Sequence, residues 1–597
     1  MPVLRQRFIP HSQFTIRHSL FSNWRRCLML ALLLWAFGAL MFNARAQSPT
    51  MDEQNHIARG YTLLRTGDPR LSVEHPPLIN ALEALPLFML SPLRLPVDDW
   101  AWDVGEWYRF ADLFLWQMGN PVEVIVFLAR LPVVALTVLL AALAFRWARE
   151  LWGSPGGLFA LALVALDPNI LAHGSLATTD LGQTTTVFIA GYAVWRMAQQ
   201  PSWGGYVLTG LAMGAMLASK LSALLFFGVF ITLLCGLNSV PKGLRSLSAA
   251  ASAPRDARLP LMHRLGGIAL LVLLAMTVLW AAYAFQCSPA VQRGAAVPLG
   301  TYWRGVRSIF VQAQGGRPSY LLGETSVHGW YAYFPIAFAV KTPLATLVAL
   351  LLAVLSMLAR KAWRADIFLL APVLAYWGVA VQSALNLGYR HLLPILPFLY
   401  VWAAQLLGLA ELASHTSVPA ILAPLWHKCV KIVRERHWLL LGFRAFSLKA
   451  LLGLWLALTC VGIAPHFLAY FNALGGGPAN GWRIVADSNI DWGQDLKRLR
   501  DYLAEHELGG VRLSWFGSSY PEFYGIDYDP LPGLPHHFDL WAAPPFDMQQ
   551  PEPGIYVISV SNLVEIPFED KRVFAYFRQR EPDARVGYSI YVYKVPP

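Results

Sequence analysis

Apolar runs dominate this chain and constrain its fold more than any other feature. The first lies between Cys27 and Phe42. Ten more follow at about 122–145, 156–172, 181–198, 205–218, 221–238, 265–286, 334–358, 366–384, 391–412 and 447–465. A bilayer core about 30 Å thick needs roughly 20 apolar residues per helical span. Several runs are short for that, but their succession predicts a polytopic α-helical membrane protein of about eleven spans. Lys and Arg test the arrangement. Clusters stand at Arg5/Arg7/Arg17/Arg25/Arg26, Arg146/Arg149, Arg196, Lys242/Arg245/Arg255/Arg258/Arg264, Arg360/Lys361/Arg364 and Lys428/Lys431/Arg434/Arg436/Arg444/Lys449. With the N-terminal tail inside, these clusters all fall on inside loops, as the positive-inside rule requires.

Composition agrees. Of 597 residues, 56% are hydrophobic and only 14% charged, against about 25% charged in a typical soluble domain. The net charge of +11 resides in loops flanking the spans, so it does not indicate nucleic-acid binding. The five cysteines (Cys27, Cys235, Cys287, Cys429, Cys460) are scattered, with no CxxC or Cys/His cluster. Neither a disulfide framework nor a thiolate metal site is expected. Ala44-Arg45-Ala46 has the form of a signal-peptidase site. The basic tail before it and the polar helix after it favour a retained anchor, which divides the chain into a tail (1–26), a transmembrane body (27–465) and a terminal part (466–597). The Ser/Ala-rich 239–264 stretch reads as a flexible inside linker.

The most informative polar stretch is Ser48–Asn80, SPTMDEQNHIARGYTLLRTGDPRLSVEHPPLIN, in the first outside loop (44–121). Thr50 is placed to cap a helix, with Glu53 completing a capping box. Asp52 then falls in the first turn, where the helix dipole favours a carboxylate, and Gly67 followed by Asp68-Pro69 ends the helix. A His-Pro-Pro turn follows at His75. These acids serve either the helix end alone or chemistry at the membrane surface.

Other ionisable groups gather at the outer ends of spans, where such residues are functional candidates. Asp180 closes the turn HGSLATTD and could equally cap the next helix. Lys220 sits in the turn of ALASKLSALL and could equally snorkel. Glu324 and His328 lie in GETSVHGWYAYFP, Lys341 in FAVKTP, and Arg390 and His391 in NLGYRHLLPILP. Cations can hold a phosphate, and acids can take a proton from a nucleophile. No Gly-rich phosphate loop is present, so a nucleotide fits poorly. Trp303, Trp330 and Trp515 could stack on a sugar, or simply pack and anchor.

Beyond Pro465 the pattern changes. Strand-like runs at Val511–Phe516, Gly554–Val560 and Ser589–Val595, with a helical stretch at Asp495–Glu507, predict a small α/β domain outside the membrane. The stretch DSNIDWGQD opens like a calcium loop with Asp487, Asn489 and Asp491, but Trp492 replaces the required Gly and Arg498 the required Glu. A turn preceding a helix is the simpler reading.

Taken together, MDEQNHIARGY with HPPL, then HGSLATTD, FAVKTP and NLGYRHLLPILP, resemble the protein O-mannosyltransferase-like branch of the GT-C glycosyltransferases (family 39), which includes the lipid A aminoarabinose transferases. The resemblance covers about residues 28–412. It implies inverting transfer, outside the membrane, of a sugar from a polyprenyl-phosphate donor. Asp52 matches the acid acting as general base, Glu53 its supporting neighbour and Asp180 the acid of the second outside loop. Lys220 and Arg390 match positions for cations on the lipid phosphate, and His75 a shaping or donor-contact residue. Glu324, His328, Lys341 and His391 complete the candidate substrate-binding set. No cofactor is required, although a divalent metal is compatible. The implied partners are the lipid-linked donor, an acceptor glycan, lipid or protein, and membrane lipids, in a bacterial plasma membrane. No β-trefoil domain is apparent, so a protein acceptor is not assumed. Two rivals are a transporter, which calls for charges near the midplane and internal symmetry, and a non-catalytic relative that binds a lipid-linked sugar.

Overall fold

The computed structural model describes residues 12–236, 261–290, 294–360, 366–407, 438–533 and 550–597. The start of the basic tail, most of the 239–264 linker and the basic cluster at 428–436 lie outside them.

The chain opens with α1 (Ser12–Ala46), then the loop helices α2 (Glu53–Thr66), α3 (Leu78–Ala84), α4 (Trp100–Val104) and α5 (Trp107–Asp112). The body continues with α6 (Val122–Ala165), α7 (Pro168–His173), α8 (Thr179–Gln199), α9 (Trp203–Leu217), α10 (Ala223–Gly236) and α11 (Leu261–Ala282). After hairpin β1 (Cys287–Pro289) and β2 (Ala296–Pro298) come α12 (Gly300–Gly315), hairpin β3 (Ser319–Leu321) and β4 (Glu324–Ser326), α13 (Tyr333–Lys341), α14 (Leu344–Arg360), α15 (Ile367–Gln382), α16 (Leu396–Ala403) and α17 (Trp438–Ile463).

The expected eleven spans are not matched by eleven long helices. Among the described residues three helices are long and apolar enough to cross a membrane: Asn23–Ala46, Val122–Ala165 and Met262–Ala282. A fourth is counted if α13 and α14, bent by 113°, form one span. That bend has a local cause. Pro343 follows Thr342, whose backbone is extended (φ −78°, ψ 134°), and a residue before proline avoids the helical region. The predicted run 334–358 is therefore broken at its third turn. Conversely, α6 has 44 residues and spans two predicted runs. At 1.5 Å per residue it would reach about 66 Å if straight, but Gly153 is non-helical (φ 74°, ψ −179°) and separates two arms. The 391–412 run begins instead as a 3₁₀ turn over Tyr389–Ile395 before α16.

The terminal part holds α18 (Leu496–Glu505) and strands β5 (Val511–Ser514), β6 (Tyr528–Pro530), β7 (Gly554–Ser559), β8 (Ala584–Val586) and β9 (Ile590–Val595). They form one sheet ordered β6-β5-β7-β9-β8. β5 pairs parallel with β6 and β7, while β9 pairs antiparallel with β7 and β8. Leu496, Leu499 and Leu503 recur at helical spacing and bury one face of α18 against Val511, Leu513, Val557 and Val592. A second core joins sheet and bundle: Tyr556, Ile558 and Tyr591 share it with Trp492, Tyr389 and the residues of α6, α8 and α16.

Candidate active site

The stretch after α1 is shaped by a buried ion pair. Glu53 and Arg130 of α6 are both within 1% of full burial. Arg130 donates Nε and Nη2 to the two Glu53 oxygens at 2.7 and 2.6 Å, and its remaining N–H groups reach the carbonyls of Ala44, Gln47 and Ser48. Glu53 also accepts from the backbone N–H and hydroxyl of Thr50 and from the N–H of Ala177. Burial alone would raise the Glu53 carboxyl, but the Arg130 charge outweighs it and holds the group below its ordinary range. Glu53, expected among catalytic groups, has its carboxylate committed to internal partners. It ties the loop to α6 and to the turn before Asp180.

This alters the expected helix start. Thr50 supplies half of the capping box through its N–H to Glu53, but α2 begins at Glu53 with Asp52 at the N-cap, making no side-chain cap bond. At the other end Gly67 takes the left-handed conformation (φ 71°) and its N–H closes on the Leu63 carbonyl, as its position in the sequence predicts. The Asp52 carboxylate, not used by its own helix, turns to Arg390.

Arg390 is the hub. Its Nη1 donates to Asp52 Oδ2 at 3.0 Å and lies 3.6 Å from Asp180 Oδ2. Asp180, at the first turn of α8, also accepts from Lys220 Nζ at 2.5 Å. Two acids and two cations, 338 residues apart at the extremes, thus form one chain: Asp52–Arg390–Asp180–Lys220. Arg390 Nε is buried without a hydrogen-bond partner among the described residues. The Arg390 guanidinium lies over the Trp492 indole, 4.2 Å from its centroid.

His75 is half-buried beside this chain. Its Nδ1 is 3.4 Å from the Thr179 hydroxyl and its ring stands edge-on to His56 at 4.8 Å. His56 in turn meets Asn80 Oδ1 at 3.1 Å, and burial, reinforced by the Arg59 charge, lowers it to about 4, so it is neutral at physiological pH. His391 lies within electrostatic reach of Asp180 and Lys220.

The remaining candidates stand elsewhere. Lys341 is buried, donates to the carbonyls of Leu468 and Asn489, and sits over the Phe471 ring. It clamps the terminal part onto α13 instead of offering a free charge. Glu324 and His328 are exposed at the β3–β4 hairpin and beyond it, and none of the described contacts of Asp52, Asp180, Lys220 or Arg390 involves them. Of the tryptophans, Trp515 is a core residue whose Nε1 donates to the Ser519 carbonyl, which favours packing over stacking on a sugar, whereas Trp303 is exposed.

The DSNIDWGQD stretch, read from sequence as a turn, reaches this site. Asp487 adopts a left-handed backbone (φ 57°). Burial pushes its carboxyl up to about 6 against the opposing pull of Arg390. Asn489 fixes the turn: its Oδ1 accepts the Tyr389 N–H, and its Nδ2 donates to the Tyr333 hydroxyl and the Ala486 carbonyl. The clue available in the sequence was its polar and aromatic density beside a span end.

Residues 119–249 match the family model described as dolichyl-phosphate-mannose-protein mannosyltransferase. Over that segment the chain is similar to this family. The matched segment contains Arg130, Asp180 and Lys220 but neither Asp52 nor Arg390. Among solved structures, the chain is similar to ArnT from Cupriavidus metallidurans in the apo state, at 14% identity and TM-score 0.44, over 96% of this chain and 98% of that one. The same protein bound to undecaprenyl phosphate gives 13% identity and TM-score 0.45 over the same shares. The Archaeoglobus fulgidus oligosaccharyltransferase tethered with an acceptor peptide gives 10% identity and TM-score 0.42, over 85% of this chain and 63% of that one. No curated protein matches the chain.

Proposed function

We propose that this protein is an integral-membrane glycosyltransferase that moves a sugar from a polyprenyl-phosphate donor to an acceptor outside the membrane, with Asp52 as general base. The observation that carries this reading is the shared guanidinium: Arg390 faces Asp52 and Asp180 together. In the reaction the acceptor oxygen bonds to the anomeric carbon as the bond from that carbon to the phosphate oxygen breaks. The acceptor proton passes to Asp52, and the electron pair leaves with the lipid phosphate. Arg390 and Lys220 stabilise that departing anion, and such preorganised charges act most strongly where water is excluded. Asp180 orients both cations. Attack opposite the leaving phosphate inverts the anomeric centre.

An apolar groove beside Lys220 in sequence supports a lipid-linked donor. Lys220 stands three residues before α10, and an apolar groove of about 470 Å³ is lined by Leu224, Leu225, Gly228 and Val229 of α10 with Ala371 and Ala375 of α15. A phosphate at Lys220 would lead its prenyl chain into this groove. In this reading the N-terminus is cytoplasmic and the site and the terminal part lie outside, in a bacterial plasma membrane.

The test is consumption of a panel of polyprenyl-phosphate sugars by purified protein beside Asp52→Asn. The expected result is that one donor is consumed and the variant is slower by about 10²–10⁴-fold, the usual worth of a general base. Equal rates for the two proteins would remove Asp52 from the chemistry. Binding of donors without turnover by either, across acceptor extracts, would favour the non-catalytic relative.

A further inference from the structure

The segment that carries Asp52 is held largely by residues from the other end of the chain. Ser48 N–H donates to the Gln494 carbonyl at 3.1 Å, and Ser48 Oγ to that of Gly493 at 2.9 Å. Ser48 Oγ also accepts the Leu496 N–H, and the Pro49 carbonyl accepts from Ser519 Oγ. Met51, the residue before Asp52, donates its N–H to the Trp492 carbonyl at 3.0 Å. Trp492 is therefore in two places at once: its carbonyl fixes the base-bearing segment, and its indole lies under the guanidinium that Asp52 contacts.

We propose that Trp492 is a positioning residue of the site, setting the Arg390 guanidinium and the Asp52 segment in one fixed arrangement, so that the terminal part completes the anion-binding centre. The geometry is specific. Trp492 is 1% exposed, and its backbone N–H donates to Gln494 Oε1 at 2.8 Å. Its ring also meets His173, in the turn that leads to Asp180, at 5.9 Å. A flat aromatic face supports a guanidinium without occupying its N–H edge, and the attraction grows when water is excluded. The N–H edge is left for Asp52, for Asp180 and, through the unpartnered Nε, for an incoming anion. An aliphatic side chain would fill space but would not hold the plane of the guanidinium.

The proposal rests on the donor reading above in taking the anion to be a lipid phosphate, so two readouts are needed. The first is binding of undecaprenyl phosphate to the full-length protein and to Trp492→Phe, Trp492→Leu and Trp492→Met. Phe keeps an aromatic face, whereas Leu and Met do not, and all three truncate the side chain. We expect Phe to stay near the native affinity and Leu and Met to bind about tenfold more weakly, with similar apparent melting temperatures for all three. The second is phenylglyoxal labelling of Arg390, followed by mass spectrometry, which needs no donor. Labelling should be faster in Leu and Met than in Phe. Equal labelling in Phe, Leu and Met would overturn the proposal. So would equal loss of affinity in all three, or native affinity in the Leu and Met variants. If the native protein binds no undecaprenyl phosphate, the donor reading fails and the labelling series still decides the role of Trp492.

Discussion

Replacing Glu53 by Gln separates a structural acid from a chemical one. Glu53 and Arg130 are both shut off from water and meet through two short charge-assisted hydrogen bonds. Removing one partner of such a pair leaves an uncompensated buried charge, typically at a cost of about 3–5 kcal/mol. The substituted amide would keep some hydrogen bonds, and Arg130 would keep its three carbonyl partners, which places the expected loss at the lower end, about 3 kcal/mol. That is roughly a hundredfold in the folding equilibrium. The assay is the apparent melting temperature and inactivation half-life in detergent for Glu53→Gln, Arg130→Met and the double variant. Because the partners touch, the double variant should lose much less than the sum of the singles. The Glu53 carboxyl is held below its ordinary value, so its contribution is present above the unfolded carboxylate range and is lost only as pH falls through the lower folded value. At pH 7 it should be complete. If Glu53→Gln melts like the native protein yet loses all transfer activity, Glu53 belongs to the chemistry and the structural assignment is wrong.

Other outcomes follow from single residues. Asp491 is fully buried, and burial pushes it up to about 8 despite hydrogen bonds from Ser561. A raised carboxyl costs stability progressively as pH rises from its unfolded value to its folded one. Asp491→Asn should therefore melt higher than the native protein at pH 8–9, with the difference shrinking toward pH 4; a difference independent of pH would refute this. Gly60 lies where α2 crosses α3, and a Cβ there would sit 1.9 Å from the Asn80 carbonyl oxygen. Gly60→Ala should destabilise by at least the usual 1–3 kcal/mol of overpacking and lower the yield of folded protein, whereas native-like melting would show that the two helices can part.

The parts legible in sequence were those written in local pattern. Alternation in 554–560 and 589–595 marked β7 and β9, and Gly67 marked the end of α2. The grouping of Asp180, Lys220 and Arg390 at one face came from counting spans and from family resemblance, and the structure links them to Asp52 through Arg390. What escaped was decided by tertiary partners. Arg130 reads as a lone cation in an apolar run until Glu53 is seen against it. Lys341 looks available until the carbonyls of Leu468 and Asn489 are found on its ammonium. β6 and β8 have three residues each, too few to show a period, and exist because longer strands offer them an edge.

The hydrogen bond between Ser48 and Gly493 spans 445 residues. At roughly 5–20 residues added per second, the segment carrying Asp52 waits tens of seconds after synthesis for the residues that hold it. Through that interval the nascent bundle can insert and pack, but Arg390 has no indole beneath it and Met51 has no carbonyl to bind. A chain interrupted before Trp492 would occupy membrane without an assembled centre. The arrangement around Asp52 and Arg390 is thus assembled only after both distant parts of the chain have been made.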